Sequence, residues 1–133
     1  MNALFADTFY YLALISREDA SHSRALALSR RLTARVVTTA WILTEVGDAL
    51  AAPKQRQVFR VLFASLLADS HVTIVPPTKR LFDQGIDLYD SRPDKEWSLT
   101  DCISFVVMEQ MQLTEALTGD HHFEQAGFRA LLK

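Results

Sequence analysis

The stretch from Trp97 to Phe128 constrains the fold more than any other part of the chain. It begins as a helix, with Ser98 suited to the N-cap and Asp101 in the first turn. Apolar residues then recur at helical spacing, at Ile103, Val106, Val107 and Met111, and Phe105 and Met108 widen this apolar face. The short apolar run 116–118 follows and stops at Gly119-Asp120, as a strand that ends in a loop does. The stretch therefore predicts a buried helix and a short strand, each with an acid at one end.

Acids at a helix start and at a strand end can converge, because open α/β sheets bind ligands outside the carboxyl ends of their strands. Each acid also has a purely structural explanation. Ser98 and Asp101 match a capping box, which satisfies free backbone N–H groups without any further function. Asp120 can equally be an ordinary turn residue. The positions of the remaining acids therefore decide between a site and a pair of caps.

The rest of the chain alternates β-branched runs with amphipathic helices. Strands are predicted at 3–6, 36–38, 72–75 and 116–118, with a last edge strand at 128–132, and helices at 9–15, 21–32, 40–51, 55–68, 78–89 and from Ser98 onwards. This order implies an α/β fold, with a mainly parallel central sheet of four to five strands and helices on both faces. A chain of 133 residues is long enough to bury a core, so a single domain over 1–133 is expected.

Composition indicates where such a chain would act. The only cysteine, Cys102, cannot form an internal disulfide and falls where the late helix should be buried, which fits a reducing compartment. The first residues lack a basic region, and Asp7 interrupts the first apolar run, so neither a signal peptide nor a membrane span is predicted. The expected location is the cytoplasm, with no membrane partner.

Charge is distributed unevenly, although the net charge is only −2. Residues 1–60 carry eight basic and five acidic side chains, whereas residues 61–133 carry six basic and eleven acidic ones. Basic residues cluster within 24–35 and again within 54–60. Such a cluster is either a solvated helix face or a rim that binds phosphate, and the sequence leaves both explanations open.

Two further acids lie close to predicted strands. Asp7 directly follows the first strand, where it could simply cap the next helix. Glu45 lies among the apolar positions of the third helix, with Trp41 and Ala49 one turn on either side. Because burial of an unpaired carboxylate is unfavourable, Glu45 needs a cation, a hydrogen bond or water nearby. The parallel layout allows Asp7, Glu45, Asp101 and Asp120 to line one cleft.

Four carboxylates without neighbouring lysines favour a divalent cation. Hard oxygen ligands of this kind select Mg²⁺ or Mn²⁺. Zinc is not favoured, because the four histidines show no ligand spacing with Cys102. A Mg²⁺ ion held by few carboxylates keeps waters and binds phosphate, which points to phosphodiester chemistry.

This pattern resembles the PIN-domain nuclease family, which includes the VapC-type ribonuclease toxins of bacterial toxin–antitoxin pairs. The residues that carry the resemblance are Asp7-Thr8, Glu45, Ser98-Leu99-Thr100-Asp101, the run from Thr118 to Phe123, and Gly127-Phe128. The resemblance implies hydrolysis of single-stranded RNA by a metal-activated water, with Mg²⁺ or Mn²⁺ as cofactor and a small antitoxin protein as partner. It also implies that Asp7, Glu45, Asp101 and Asp120 are both catalytic and metal-binding, and that Thr8 and Ser98 support them. His121 and His122 are expected to be solvent-exposed, with a ligand or acid role left open.

Two rival functions are considered. A phosphoacceptor signalling domain also gathers acids around Mg²⁺, but it needs adjacent acids after the first strand and a lysine after a late strand. Here Thr8 follows Asp7, and no lysine follows Leu117. A catalytically weak PIN-like module that binds RNA or acts as a scaffold is the second rival, and the intact set of four acids argues against it.

Two helices carry more apolar surface than one small sheet can cover. They are the aromatic helix after Asp7, which contains Phe9 to Leu12, and the helix at 55–68. Their surplus predicts a partner-binding surface, used for a homodimer, for an antitoxin helix, or for both. The alternative is that the fold covers both faces internally.

Overall fold

The computed structural model describes residues 3–133 and contains a five-stranded sheet. The strands are β1 (Ala3–Ala6), β2 (Arg35–Thr39), β3 (Val72–Val75), β4 (Glu115–Leu117) and β5 (Arg129–Ala130). They lie in the order β3-β2-β1-β4-β5, and every neighbouring pair is parallel. The predicted parallel sheet is therefore confirmed, including its short last strand.

Seven helices connect these strands within the described residues. They are α1 (Thr8–Ile15), α2 (His22–Arg31), α3 (Ala40–Ala49), α4 (Arg56–Ala68), α5 (Lys79–Ser91), α6 (Leu99–Gln110) and α7 (His121–Gln125). Side chains cap α3, α5 and α6, from Thr39, Thr78 and the predicted N-cap Ser98. The short α7 was not predicted, because five residues are too few to show a helical period.

The path of the chain distributes the helices over both faces. The chain moves outward from β1 to β2 and β3, and then returns to β4 on the other side of β1. Right-handed crossovers therefore put the helices between β1 and β3 on one face, and α5 and α6 on the other. In agreement, α1 packs on α2 and α3, whereas α5 packs on α6. The direction reverses between β1 and β4, and a crevice at such a reversal is where α/β sheets bind ligands.

An aromatic cluster fixes α6 and α7 against the sheet. Phe105 of α6 meets Trp97 and Phe123 edge-on, at ring-centroid distances of 5.0 Å each. Phe123 is fully buried and also lies 6.2 Å from Phe5 of β1. Edge-to-face pairs of this kind add stability beyond the area that they bury. The helix α6, which carries Asp101, and the helix α7, which follows Asp120, are thereby anchored to the central strand β1.

The predicted partner surface included α1 and α4. The exposure expected of α4 is present, whereas that expected of α1 is not. No residue of α4 is buried, and Val58, Val61, Phe63 and Leu67 are its exposed large apolar side chains. In α1, by contrast, Tyr10 and Tyr11 are buried and Phe9 and Leu12 pack half-buried against the core. What covers α4 stays a prediction.

No helix within residues 3–133 has the length and apolar character needed to cross a bilayer.

Candidate active site

Asp7 lies directly after β1 at the point where the sheet reverses direction. Its backbone N–H donates to the carbonyl of Leu117 at 3.3 Å, which ties the end of β1 to the end of β4. Its side chain is only 6% exposed and makes no capping hydrogen bond to α1. Instead, Asp7 Oδ2 accepts a hydrogen bond of 2.8 Å from the Thr118 hydroxyl. The alternative that Asp7 is simply an N-cap is therefore wrong.

The surroundings of Asp7 disfavour its ionised form. The pKa of this carboxyl is raised to about 7, mainly by burial and also by the negative charges of Asp101 and Asp120, while the hydrogen bond from Thr118 lowers it. Within residues 3–133, no Lys or Arg forms an ion pair with any of the four acids. The site is therefore short of positive charge.

The end of β4 brings Asp120 to the same place. Its backbone N–H donates to Thr118 Oγ1 at 3.1 Å, so Thr118 links Asp120 to Asp7. Gly119 allows this turn to approach α1, since a Cβ there would lie 2.5 Å from Cζ of Phe9. Asp120 Oδ1 accepts 2.9 Å from the backbone N–H of His122 and so caps α7. The structural role considered for Asp120 is therefore real, but it uses only one carboxylate oxygen.

Asp101 reaches the site from the first turn of α6. The capping box predicted for Ser98 and Asp101 is present, with Ser98 Oγ accepting from the Asp101 N–H at 3.0 Å and Asp101 Oδ2 accepting from the Ser98 N–H at 3.2 Å. Burial raises the pKa of the Asp101 carboxyl, as does the charge of Asp120, while hydrogen bonds from Ser98 and His122 lower it. The predicted supporter Ser98 thus acts on Asp101 itself.

Glu45 approaches from α3 and is joined to the site through Thr8. The Thr8 hydroxyl, one residue after Asp7, donates a short hydrogen bond to Glu45 Oε1. Glu45 is half-buried, whereas Asp48 of the same helix is exposed. The hydrogen bond that the sequence required for Glu45 is therefore present, and its donor is the other predicted supporter.

The four acids are connected to different degrees. Asp7, Asp101 and Asp120 belong to one hydrogen-bonded chain, which runs through Thr118 and His122. Glu45 is attached only by way of Thr8. In the described part of the chain, the one compact group of three metal-ligand side chains is Asp120 with His121 and His122, whose ligand atoms lie within 4.8 Å of one another.

The expectation that both histidines face solvent is wrong for one of them. The His121 side chain is 62% exposed, but that of His122 is only 19% exposed. His122 Nδ1 lies 3.0 Å from Asp101 Oδ2 and 3.4 Å from Asp120 Oδ1.

The sequence alone also gave no role to Thr118. Because alternate residues at a strand end share one side, the position of Thr118 two residues before Asp120 could have indicated that the two side chains lie together.

The donor set fits a divalent cation. Hydrogen bonds from residues 3–133 go to Oδ2 of Asp101 and to Oδ1 of Asp120, which leaves Asp101 Oδ1 and Asp120 Oδ2 without a protein donor. Converging carboxylates that have no Lys or Arg partner in the described part of the chain repel one another, and one of them is buried. Hard oxygen ligands and unbalanced negative charge together favour Mg²⁺ or Mn²⁺.

Known proteins share this fold and length. A family model described as the PIN domain matches residues 4–129. The 23S rRNA-specific endonuclease VapC20 of Mycobacterium tuberculosis is 27% identical over 125 residues, which make up 94% of this chain and 95% of that protein. The crystal structure of VapC20, described as a sarcin-ricin loop cleaving toxin, matches with a TM-score of 0.85 at 26% identity, over 94% of this chain and 95% of that one. FitAcB from Neisseria gonorrhoeae matches with a TM-score of 0.65 at 18% identity, over 96% and 94% of the two chains, which is a likeness of fold alone.

Proposed function

The chain belongs to the PIN domain family, and we propose that it is a divalent-metal-dependent endoribonuclease that hydrolyses phosphodiester bonds of single-stranded RNA. We further propose that it is the toxin of a toxin–antitoxin pair. The single observation that carries the activity is the meeting of Asp7, Asp101 and Asp120 at the reversal point of the sheet. Three linked carboxylates that pair with no Lys or Arg of residues 3–133 are unfavourable in a resting fold, so a function has to account for them.

Asp7, Glu45, Asp101 and Asp120 would hold the cation. When bound, Mg²⁺ or Mn²⁺ acts as a Lewis acid on the scissile phosphate and lowers the pKa of a coordinated water. Asp7 is the acid that most needs such a partner, because burial raises its pKa to about 7. The loss of a proton from Asp7 at neutral pH is thereby coupled to cation binding.

The neighbouring polar side chains orient the acids rather than contact RNA. Thr118 holds one oxygen of Asp7 and the backbone of Asp120 at the same time. Ser98 fixes Asp101 through the capping box, and Thr8 fixes Glu45. Short side chains on element ends suit this role, since they lose little freedom when ordered.

RNA as the substrate is supported by the curated relative. VapC20 is named as a 23S rRNA-specific endonuclease, and it matches 94% of this chain. At 27% identity, the class of reaction is carried over but the target is not. We therefore assign single-stranded or loop RNA as the substrate class, since loop bases are accessible to side chains.

The proposed partners are a small antitoxin and a second copy of the chain. The exposed apolar side chains of α4 supply a surface for such contacts. Two arginines of the same helix, Arg56 and Arg60, are exposed beside them. A homodimer or an antitoxin complex that covers α4 would remove this apolar surface from water.

Cleavage of a labelled single-stranded RNA in the presence and absence of metal tests the proposed activity. We expect internal cuts with millimolar Mg²⁺ or Mn²⁺, none with excess EDTA, and recovery when Mn²⁺ is added back. Cleavage that continues in EDTA would point to a contaminating ribonuclease or to metal-free chemistry. RNA binding without any cleavage under every metal condition would favour the rival function of a non-catalytic RNA-binding module.

A further inference from the structure

Within residues 3–133, His122 is the one side chain that contacts the carboxylates of two of the proposed metal-binding acids. Its Nδ1 lies 3.0 Å from Asp101 Oδ2 and 3.4 Å from Asp120 Oδ1. Asp101 comes from the first turn of α6, whereas Asp120 follows β4, so the imidazole joins two separate elements. Carboxylates are acceptors, so Nδ1 carries a proton in this contact. The donor is also half-buried, where a hydrogen bond is stronger than in water.

The imidazole and two backbone N–H groups together leave one oxygen of each carboxylate available. Asp101 Oδ2 is engaged by His122 and by the Ser98 N–H, and Asp120 Oδ1 is engaged by the His122 backbone N–H. Within residues 3–133, Asp101 Oδ1 and Asp120 Oδ2 receive no hydrogen bond. Two like-charged carboxylates with a donor between them are held together, whereas without it they repel and separate.

We propose that His122 is a positioning residue, whose imidazole holds Asp101 beside Asp120 and so presents their free oxygens to the divalent cation. This inference rests on the proposed function. His122 itself contacts neither the cation nor the RNA in this role. Groups that orient metal ligands commonly change metal affinity by about 10- to 100-fold when they are removed.

The fold should survive the loss of this imidazole. Asp101 keeps its capping box with Ser98, and Asp120 keeps the backbone N–H of residue 122, whatever side chain is present there. Phe123, which anchors α7 in the core, is not changed. Metal affinity and stability can therefore be separated in the same set of variants.

The test compares His122→Phe with His122→Asn. Phenylalanine keeps the ring but has no donor, whereas the amide nitrogen of asparagine can occupy the position of Nδ1. Mn²⁺ binding to the full chain, followed by the EPR signal of free Mn²⁺, should weaken by about 10- to 100-fold in His122→Phe and by less than about threefold in His122→Asn. Cleavage of the RNA should need correspondingly more Mn²⁺ in His122→Phe and return to nearly the parent rate at saturation.

His121→Phe is the matched control, since His121 is adjacent, exposed and 3.7 Å from Asp120. It should leave Mn²⁺ affinity within about twofold of the parent. Equal weakening in His121→Phe and His122→Phe, or an electron spin echo signal from nitrogen bound directly to Mn²⁺, would mean that the histidines are ligands and would overturn the positioning role. Unchanged affinity in His122→Phe would overturn it as well, with the metal site intact. No Mn²⁺ binding by the parent would instead overturn the proposed metal site and this inference with it.

Discussion

The helices α6 and α4 have similar lengths and similar apolar content, yet they occupy opposite environments. Six residues of α6 are buried, and none of α4 is. The helix α6 packs on α5 and is anchored by an aromatic cluster, whereas α4 follows α3 and precedes the edge strand β3. Hydrophobic periodicity therefore tells which residues share a face, but not whether the fold covers that face.

The same comparison bears on where the proposed site lies. A helix that is fixed along its whole length can hold a carboxylate at its first turn in one place, as α6 does with Asp101. Precise placement of charged groups needs such rigid support. In contrast, α4 exposes large apolar side chains, and this apolar character suits association rather than catalysis.

The largest expected effect is the loss of activity when the acid at the start of α6 is changed. Asp101→Asn should lower the rate of RNA cleavage at least about a hundredfold, because a neutral amide cannot balance the cation as a carboxylate does. The capping contact survives in the amide oxygen, so stability should fall by less than about 1 kcal/mol. Asp69→Asn, at the end of α4, is the control and should cleave like the parent. Near-normal metal-dependent activity in Asp101→Asn would contradict the assignment.

Truncation of one phenylalanine should lower the free energy of unfolding much more in α6 than in α4. Phe105 of α6 is 3% exposed and Phe63 of α4 is 38% exposed. Urea unfolding should show a loss of about 3–5 kcal/mol for Phe105→Ala, and of less than about 1.5 kcal/mol for Phe63→Ala. Equal losses would show that the face of α4 is as well packed as that of α6.

The metal-free protein should become less stable as the pH rises. The pKa of Asp7 is about 7 in the folded protein and has its ordinary value of 3.8 in the unfolded chain. Between these values the folded protein keeps a proton that the unfolded chain has released, so the free energy of unfolding falls with pH and levels off above pH 7. The fall amounts to about 4 kcal/mol at most.

Asp7→Asn supplies the reference for this pH dependence. Urea unfolding in EDTA, at pH values from about 4.5 to 8, should show a steeper decline in the parent than in Asp7→Asn, which keeps only the contribution of Asp101. The parent should therefore be the less stable of the two at the upper end of the range. A difference between the two proteins that does not change with pH would contradict a buried acid with a raised pKa.

The smallest expected change in stability lies on the exposed face of α4. Leu67 is 64% exposed, so Leu67→Gln should alter the free energy of unfolding by less than about 0.5 kcal/mol. The same change should weaken self-association, measured by light scattering, if a second copy covers this face. Leu66→Gln is the control, because Leu66 packs half-buried against the core and its loss should destabilise the fold. A parent that stays monomeric at tens of micromolar would contradict the proposed homodimer.

Much of the fold was predictable because its signals are local. The β-branched strands, the caps at Thr39, Thr78 and Ser98, and the chain order of the long helices all follow from neighbouring residues. The burial of α1 and the exposure of α4 were not predictable in the same way. They depend on which strands end at the edge of the sheet, and the order β3-β2-β1-β4-β5 is a long-range property.

The convergence of Asp7, Asp101 and Asp120 was predictable, but the contacts that link them were not. Asp7, Asp101 and Asp120 follow from element ends, since the ends of adjacent parallel strands must meet. The link from Thr118 to Asp7 spans 111 positions of the chain, and that from His122 to Asp101 spans 21. Such contacts come from tertiary packing, so the single sequence left the role of His122 open.

Metal-dependent stabilisation tests most directly whether the four acids form one site. We expect Mn²⁺, at about a hundred times its dissociation constant, to stabilise the parent by about 2.7 kcal/mol and to raise its melting temperature by several degrees. A variant in which Asp7, Asp101 and Asp120 become Asn and Glu45 becomes Gln should show no such rise. An equal rise in the parent and in this variant, or no rise in the parent at millimolar Mn²⁺, would contradict a shared metal site.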